Sequence, residues 1–179
     1  MQIYTSLKAL PETKVALTIG SFDGVHRGHQ ALLNKLKFYG VPTAVLTFPS
    51  HPLQTLRPPA PTPITTLEAR LQLLGKERID YCILIPFQDI VNIPFDHFLA
   101  DLPLSHLLLG EGSAFGKNRE GTQSNVEAWG KQTNVHVEYI KKVETISSSQ
   151  IRAAIASGDL KLAETLLGHT NYEKHHVKH

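Results

Sequence analysis

His26 and His29 stand three residues apart in the segment Gly20-Ser21-Phe22-Asp23-Gly24-Val25-His26-Arg27-Gly28-His29. A short β-branched run over residues 14–20 precedes them, and residues 30–38 place Leu32, Leu33 and Leu36 at helical spacing. The two imidazoles therefore fall at a helix N-terminus, just past the end of a strand. Free N–H groups and the helix dipole favour an anion there. Two imidazoles that can donate hydrogen bonds add to this, and Gly28 leaves room for a phosphate or a base to approach the backbone. The chemistry suggested is stabilisation of charge on a phosphoryl group in transfer. Zinc would need a third and a fourth ligand, and only His51 is at hand. The plainer alternative is a pair of surface histidines on a first helical turn.

A second group is Ile146-Ser147-Ser148-Ser149-Gln150-Ile151-Arg152. A capping run explains one serine. Three serines with an arginine one turn on resemble a phosphate clamp, because arginine supplies planar, paired donors. A third group, Gly110-Glu111-Gly112-Ser113-Ala114-Phe115-Gly116-Lys117-Asn118-Arg119, is no dinucleotide fingerprint, since its glycines break the GxGxxG spacing. Lys117 and Arg119 could touch phosphate, although exposed loop cations are more often only solvated. Phe48 and His51 end a strand and could line a planar ligand, although a strand-ending Phe is more often core.

These residues need elements to hold them. Strands are expected at residues 14–20, 43–48, 81–86, 105–109 and 135–140. Helices are expected at 30–38, from Thr65 or Thr66 to about Lys76 with a Leu67, Leu71, Leu74 stripe, and at 95–99, 124–131, 148–156 and 161–167. Residues 50–63 hold Pro52, Pro58, Pro59, Pro61 and Pro63, which reads as a binding flap or a surface insertion. Strands alternating with helices predict an α/β fold, a doubly wound parallel five-stranded sheet of Rossmann-like type, covered on both faces. In such a sheet the ligand sits at the carboxyl ends of the strands, where the polar segments above converge.

The chain has 179 residues, 41% hydrophobic and 19% charged, with a formal net charge of +2. That fits one domain, expected at residues 1–168, with a tail at 169–179 whose histidines, His175, His176 and His179, read as a frayed end. So small a charge excess argues against nucleic-acid or membrane partners. Cys82 is the single cysteine and lies in an apolar run, so it is expected to be a buried hydrophobe in a reducing compartment.

Taken together, these segments resemble the adenylyltransferase module of bacterial FAD synthetases, the N-terminal part of the bifunctional riboflavin kinase/FMN adenylyltransferases. The resemblance runs through residues 20–30, with the HxGH element of the wider nucleotidyltransferase superfamily, and through Thr47-Phe48 with His51-Pro52. It continues at Phe115-Gly116-Lys117, at Ile146 to Arg152, and at Gly158-Asp159-Leu160 with Ala163 and Leu166-Leu167-Gly168. Order and spacing hold from about residue 14 to 168.

The resemblance implies transfer of AMP from ATP to FMN, giving FAD and pyrophosphate, with Mg²⁺ and no covalent enzyme intermediate. It implies catalytic roles for His26, His29 and Arg152. It implies an ATP site of Gly20, Ser21, Phe22, Asp23, Gly24, Gly28, Gly110, Ser147 and Ser148, and a flavin site of Phe48, His51, Pro52 and Phe115 beneath the flap. Metal ligands stay unassigned. A cytoplasmic monomer or weak oligomer is expected, with ATP and FMN as its partners. Three departures stand out. Pro49 and Ser50 replace an acidic residue and a proline, Gly112-Ser113 replaces a D/N-F pair, and no riboflavin kinase domain is expected after Gly168. Gly112→Asp or Gly112→Asn is expected to strengthen FMN use and leave ATP binding nearly unchanged. The departures leave two alternatives: another phosphorylated acceptor, or ligand binding without turnover.

Overall fold

A computed structural model describes residues 1–142 and 146–174; the terminal histidine tract lies outside the described residues. Among the described residues six strands pair in parallel: Gln2–Tyr4 (β1), Val15–Ile19 (β2), Thr43–Thr47 (β3), Tyr81–Leu84 (β4), Leu104–Gly110 (β5) and His136–Ile140 (β6). Their order is β1-β4-β3-β2-β5-β6. The sixth strand corrects the expected five. β1 is only three residues long, two of them exposed, too short for an alternation to register. What makes it a strand is its pairing with β4, Gln2 opposite Tyr81.

The helices are Arg27–Lys37 (α1), Leu53–Leu56 (α2), Leu67–Lys76 (α3), Phe95–Ala100 (α4), Gln123–Thr133 (α5), Ser148–Ser157 (α6) and Leu160–Leu167 (α7). One sheet face packs Leu17, Leu46, Ile83 and Leu107 against Phe98 and Leu99 of α4 and Val126 and Trp129 of α5. The other buries Ala16, Val45 and Leu108 under Leu33 and Leu36 of α1 and Leu74 of α3. β2 and β3 are buried along nearly their whole length because helices cover them on both sides.

The chain runs from β2 outward through β3 to β4, then returns to place β5 on the other flank of β2. The carboxyl ends of β2 and β5 thus face each other at a topological switch point, where such sheets open a crevice. Beside it, α6 and α7 form a pair around Ile151, Ala154, Ile155, Ala163 and Leu167, joined by Ile64 and Tyr172. The break between them follows from local chemistry: Gly158 takes φ +82° and Asp159 caps α7 through the Leu162 N–H. Beyond Gly168 the chain packs back on the domain. His169 Nε2 lies 2.7 Å from the Gly24 carbonyl, Tyr172 is buried, and the Glu173 N–H donates to Ile64.

Candidate active site

Past β2 the backbone passes through Phe22 at φ 51°, Gly24 at φ 81° and Val25 at φ 40°. Positive φ in a bulky or β-branched residue is strained by ~1–3 kcal/mol. Asp23 holds the turn in place. Its buried carboxylate accepts from the N–H groups of Ile64 and Thr65 at 3.0 and 3.1 Å and from Thr65 Oγ1 at 3.2 Å. It also accepts from Arg152 Nη2 at 2.7 Å. Four donors on one carboxylate offset the cost of burying it.

The turn delivers His26 to the N-cap of α1, where its Nδ1 accepts from the His29 N–H at 3.3 Å. That bond fixes the tautomer: the ring proton sits on Nε2. The His26 and His29 rings stack at 3.6 Å and 16°, and His29 also lies against Phe22 at 5.0 Å. Gly28 lets them do so. A Cβ there would stand 3.1 Å from the His26 ring, and Gly28 itself lines the cavity onto which the histidines open. Burial pushes the His26 pKa down to about 4, against a smaller opposing pull from Asp23. Burial, then the neighbouring His26, drives His29 well below its ordinary value. His29 Nδ1 is enclosed and has no hydrogen-bond partner among the described residues. Near neutral pH the pair supplies hydrogen-bond donors, not charge.

The histidines open onto a cavity of about 560 Å³. Gly20 and Phe22 wall it from the β2 side, Gly110 and Ser113 from the β5 side, and Ser147 and Ser148 from the N-terminus of α6. Ser147 caps that helix in a capping box with Gln150, so the serines expected to clamp phosphate are also what starts α6. The N-termini of α1 and α6 thereby open on one space, and both favour anions.

A second cavity of about 610 Å³ lies across Asp23, under the proline-rich segment. Pro49, Ser50, His51, Gln54, residues 60–63 and Arg70 line it. The segment is partly ordered by α2, whose first N–H groups are met in part by His51 Nδ1, 3.1 Å from the Leu53 nitrogen. Pro52 opens α2. Burial, then Arg152, lowers the His51 pKa.

Other expected site residues are placed differently. Arg152 donates through Nε to the Thr62 carbonyl at 2.7 Å and through Nη2 to Asp23, so it latches the flap to the strained turn. Ser21 uses its carbonyl, which accepts from Thr47 Oγ1 and Arg70. Gly24 packs against Ile64 and Leu167 and donates to Thr65 Oγ1. The Phe48 ring is buried, edge-on to Phe87 at 5.3 Å, and Phe115 meets Phe98 edge-on at 6.3 Å. Neither ring lines the two cavities.

Arg70 escapes a reading of the sequence. It is buried, and its guanidinium donates to the carbonyls of Ser21 at 2.5 Å, Phe48 at 2.6 Å and Pro49 at 3.3 Å. It ties the ends of β2 and β3 to the base of the flap. A signal was present in the spacing, since Arg70 shares the buried face of α3 with Leu73 and the expected Leu74, whereas Leu67 and Leu71 of the expected stripe are only half-buried. Cys82 is buried and its thiol is pushed up to about 11, the opposite of a reactive cysteine.

A family model described as FAD synthetase matches residues 9–153. The chain belongs to the FAD synthetase family. The bifunctional riboflavin kinase/FMN adenylyltransferase of Escherichia coli K12 is 33% identical, the alignment covering 92% of this chain and 57% of that protein. The protein of the same description from Pseudomonas fluorescens is 34% identical, with 94% and 59% covered. The chain thus spans somewhat more than half the length of these relatives. Among solved structures, one described as a macrolide-efflux protein from Streptococcus pneumoniae is similar at TM-score 0.81 and 25% identity, covering 94% of this chain and 60% of that one. Pantothenate synthetase from Thermus thermophilus, at TM-score 0.56 and 13% identity over 90% of this chain and 76% of that one, shares the fold alone. No helix among the described residues is long and apolar enough to cross a membrane.

Proposed function

We propose that this chain is an FMN adenylyltransferase, joining AMP from ATP to FMN and releasing pyrophosphate. The observation that carries the reading is the stacked His26–His29 pair at the start of α1, facing the same cavity as Ser147 and Ser148 at the start of α6. An oxygen of the FMN phosphate forms a bond to the α-phosphorus of ATP. The bridging α–β bond breaks, and pyrophosphate leaves with the electron pair. Charge grows on the α-phosphate oxygens and on the leaving group, where fixed donors act most strongly. His26 Nε2–H and the N–H groups of the two helix termini are such donors. Asp23 and Arg70 hold the turn and strand ends that aim them.

Mg²⁺ is best written as part of the substrate, MgATP. Magnesium keeps several waters and binds mainly through substrate phosphates with one or two carboxylates. The described residues hold no group of three or more His, Cys, Asp or Glu that could cage it, and Asp23 is already committed to its four donors.

A second reading keeps the ATP site and changes the acceptor to another phosphate ester. It is favoured by the burial of Phe48 in the core, by the packing of Phe115 against that core, and by Gly112 and Ser113 in the turn after β5. Incubation with ATP, Mg²⁺ and FMN, followed by chromatography, decides between them. FAD with an equal amount of pyrophosphate supports the first reading. No FAD from FMN, but pyrophosphate and an adenylylated product when another phosphate ester is supplied, supports the second.

A further inference from the structure

Beyond the Mg²⁺ carried by the nucleotide, adenylyl transfer gains from protein cations beside the phosphates, and the two histidines, held neutral by burial, bring donors without charge. Arg152 is engaged by Asp23 and the Thr62 carbonyl. Lys35 reaches the histidine cavity but is paired with Glu138, which also accepts from Tyr39. Two cations remain on the cavity wall, Lys141 and Lys142, just past the end of β6. Both are exposed, and among the described residues neither forms an ion pair. Glu111 shares the adjoining turn, where its N–H is bonded to Ile140. Lys142 Nζ lies 3.8 Å from the point where a Cβ on Gly112 would stand, and apart from the flanking residues Glu111 and Ser113 no other described atom comes within 4 Å of it. The ammonium thus occupies ground that a longer side chain in that turn would take.

We infer that Lys141 and Lys142 are the cationic grip on the nucleotide's phosphate chain, with Lys142 using the space Gly112 leaves open. The inference rests on the adenylyl-transfer reading and adds the source of charge to it. It reverses the expectation for Gly112→Asp. Asp is among the few side chains that adopt a positive φ, at some strain at the +80° of Gly112, and its carboxylate would meet Lys142 and neutralise the grip.

Calorimetric titration with ATP, AMP and FMN, each alone, tests this on the wild type, Lys141→Ala, Lys142→Ala, Gly112→Asp and the Gly112→Asp, Lys142→Ala double variant. Each lysine variant should bind ATP about ten-fold more weakly, as expected for a lost charge-assisted contact. AMP and FMN should bind nearly as before, and ATP binding should depend less on salt. Gly112→Asp should weaken ATP binding on its own and have little further effect once Lys142 is gone. Unchanged ATP affinity in both lysine variants overturns the inference, as does a loss confined to FMN. A wild type that binds no ATP overturns the adenylyl-transfer reading itself, and the lysine grip with it.

Discussion

The helix starts that bring His26, His29 and Ser147 to one cavity are set by local capping, whereas the residues around the cavity under the flap are held by bonds between distant segments. On the histidine side, β2 ends at Ile19, His26 caps the next helix by accepting from the N–H three residues on, and a serine capping box starts α6. On the flap side, Asp23 reaches Ile64 across 41 residues, Arg70 reaches Ser21 across 49, and Arg152 reaches Thr62 across 90. The two halves should therefore fail differently. Damage on the histidine side should slow chemistry, and damage on the flap side should loosen the fold first.

The largest effect expected is from Asp23→Ala. It removes the acceptor from four donors and leaves the Arg152 cation unpaired, which for a buried pair costs about 3–5 kcal/mol. Urea unfolding should show the loss as a lower midpoint with an unchanged slope. A midpoint like the wild type's would break the comparison, because the flap would then not depend on its latch. Next in size is His29→Ala. Loss of a preorganised donor should reduce FAD formation about 10²-fold, or roughly 2.7 kcal/mol of barrier. The same variant should shift the urea midpoint less than Asp23→Ala does.

Ser147→Ala sharpens the comparison from a third direction. The hydroxyl caps α6, and its removal should cost about 1 kcal/mol in stability together with weaker ATP binding. The smallest effect near neutrality is on pH dependence. His26 has its folded pKa lowered from 6.5 to about 4, so the unfolded chain takes up a proton first as pH falls. The stability this burial carries is fully present above pH 6.5 and is lost progressively as pH drops towards 4. His26→Gln should flatten that part of a stability–pH profile measured by urea unfolding, and an unaltered profile would mean the ring is not buried as neutral imidazole.

The same contrast explains what could be read from the sequence. The helix starts at His26, Thr66 and Ser147 and the alternation of strands and helices are local signals, so the layered sheet and the histidine cavity were legible. β1 was not, because three residues become a strand only through β4. Arg70 was not, because a lone arginine in a helix looks solvated until the strand ends that it joins are folded beside it. Arg152 resembles a phosphate clamp on spacing alone. Its actual partners, Asp23 and Thr62, are set by how the flap folds back, which no short segment encodes.

The most direct measurement follows the α-phosphate. With ATP labelled at the α-phosphorus and FMN as acceptor, the proposal predicts that the label leaves ATP and appears in FAD. A label at the γ-phosphorus should appear in pyrophosphate, in equal amount. Riboflavin in place of FMN should accept no α-label, since it lacks the attacking phosphate. An α-label that stays in ATP while FMN is present, or a γ-label that moves onto the flavin, would contradict the account.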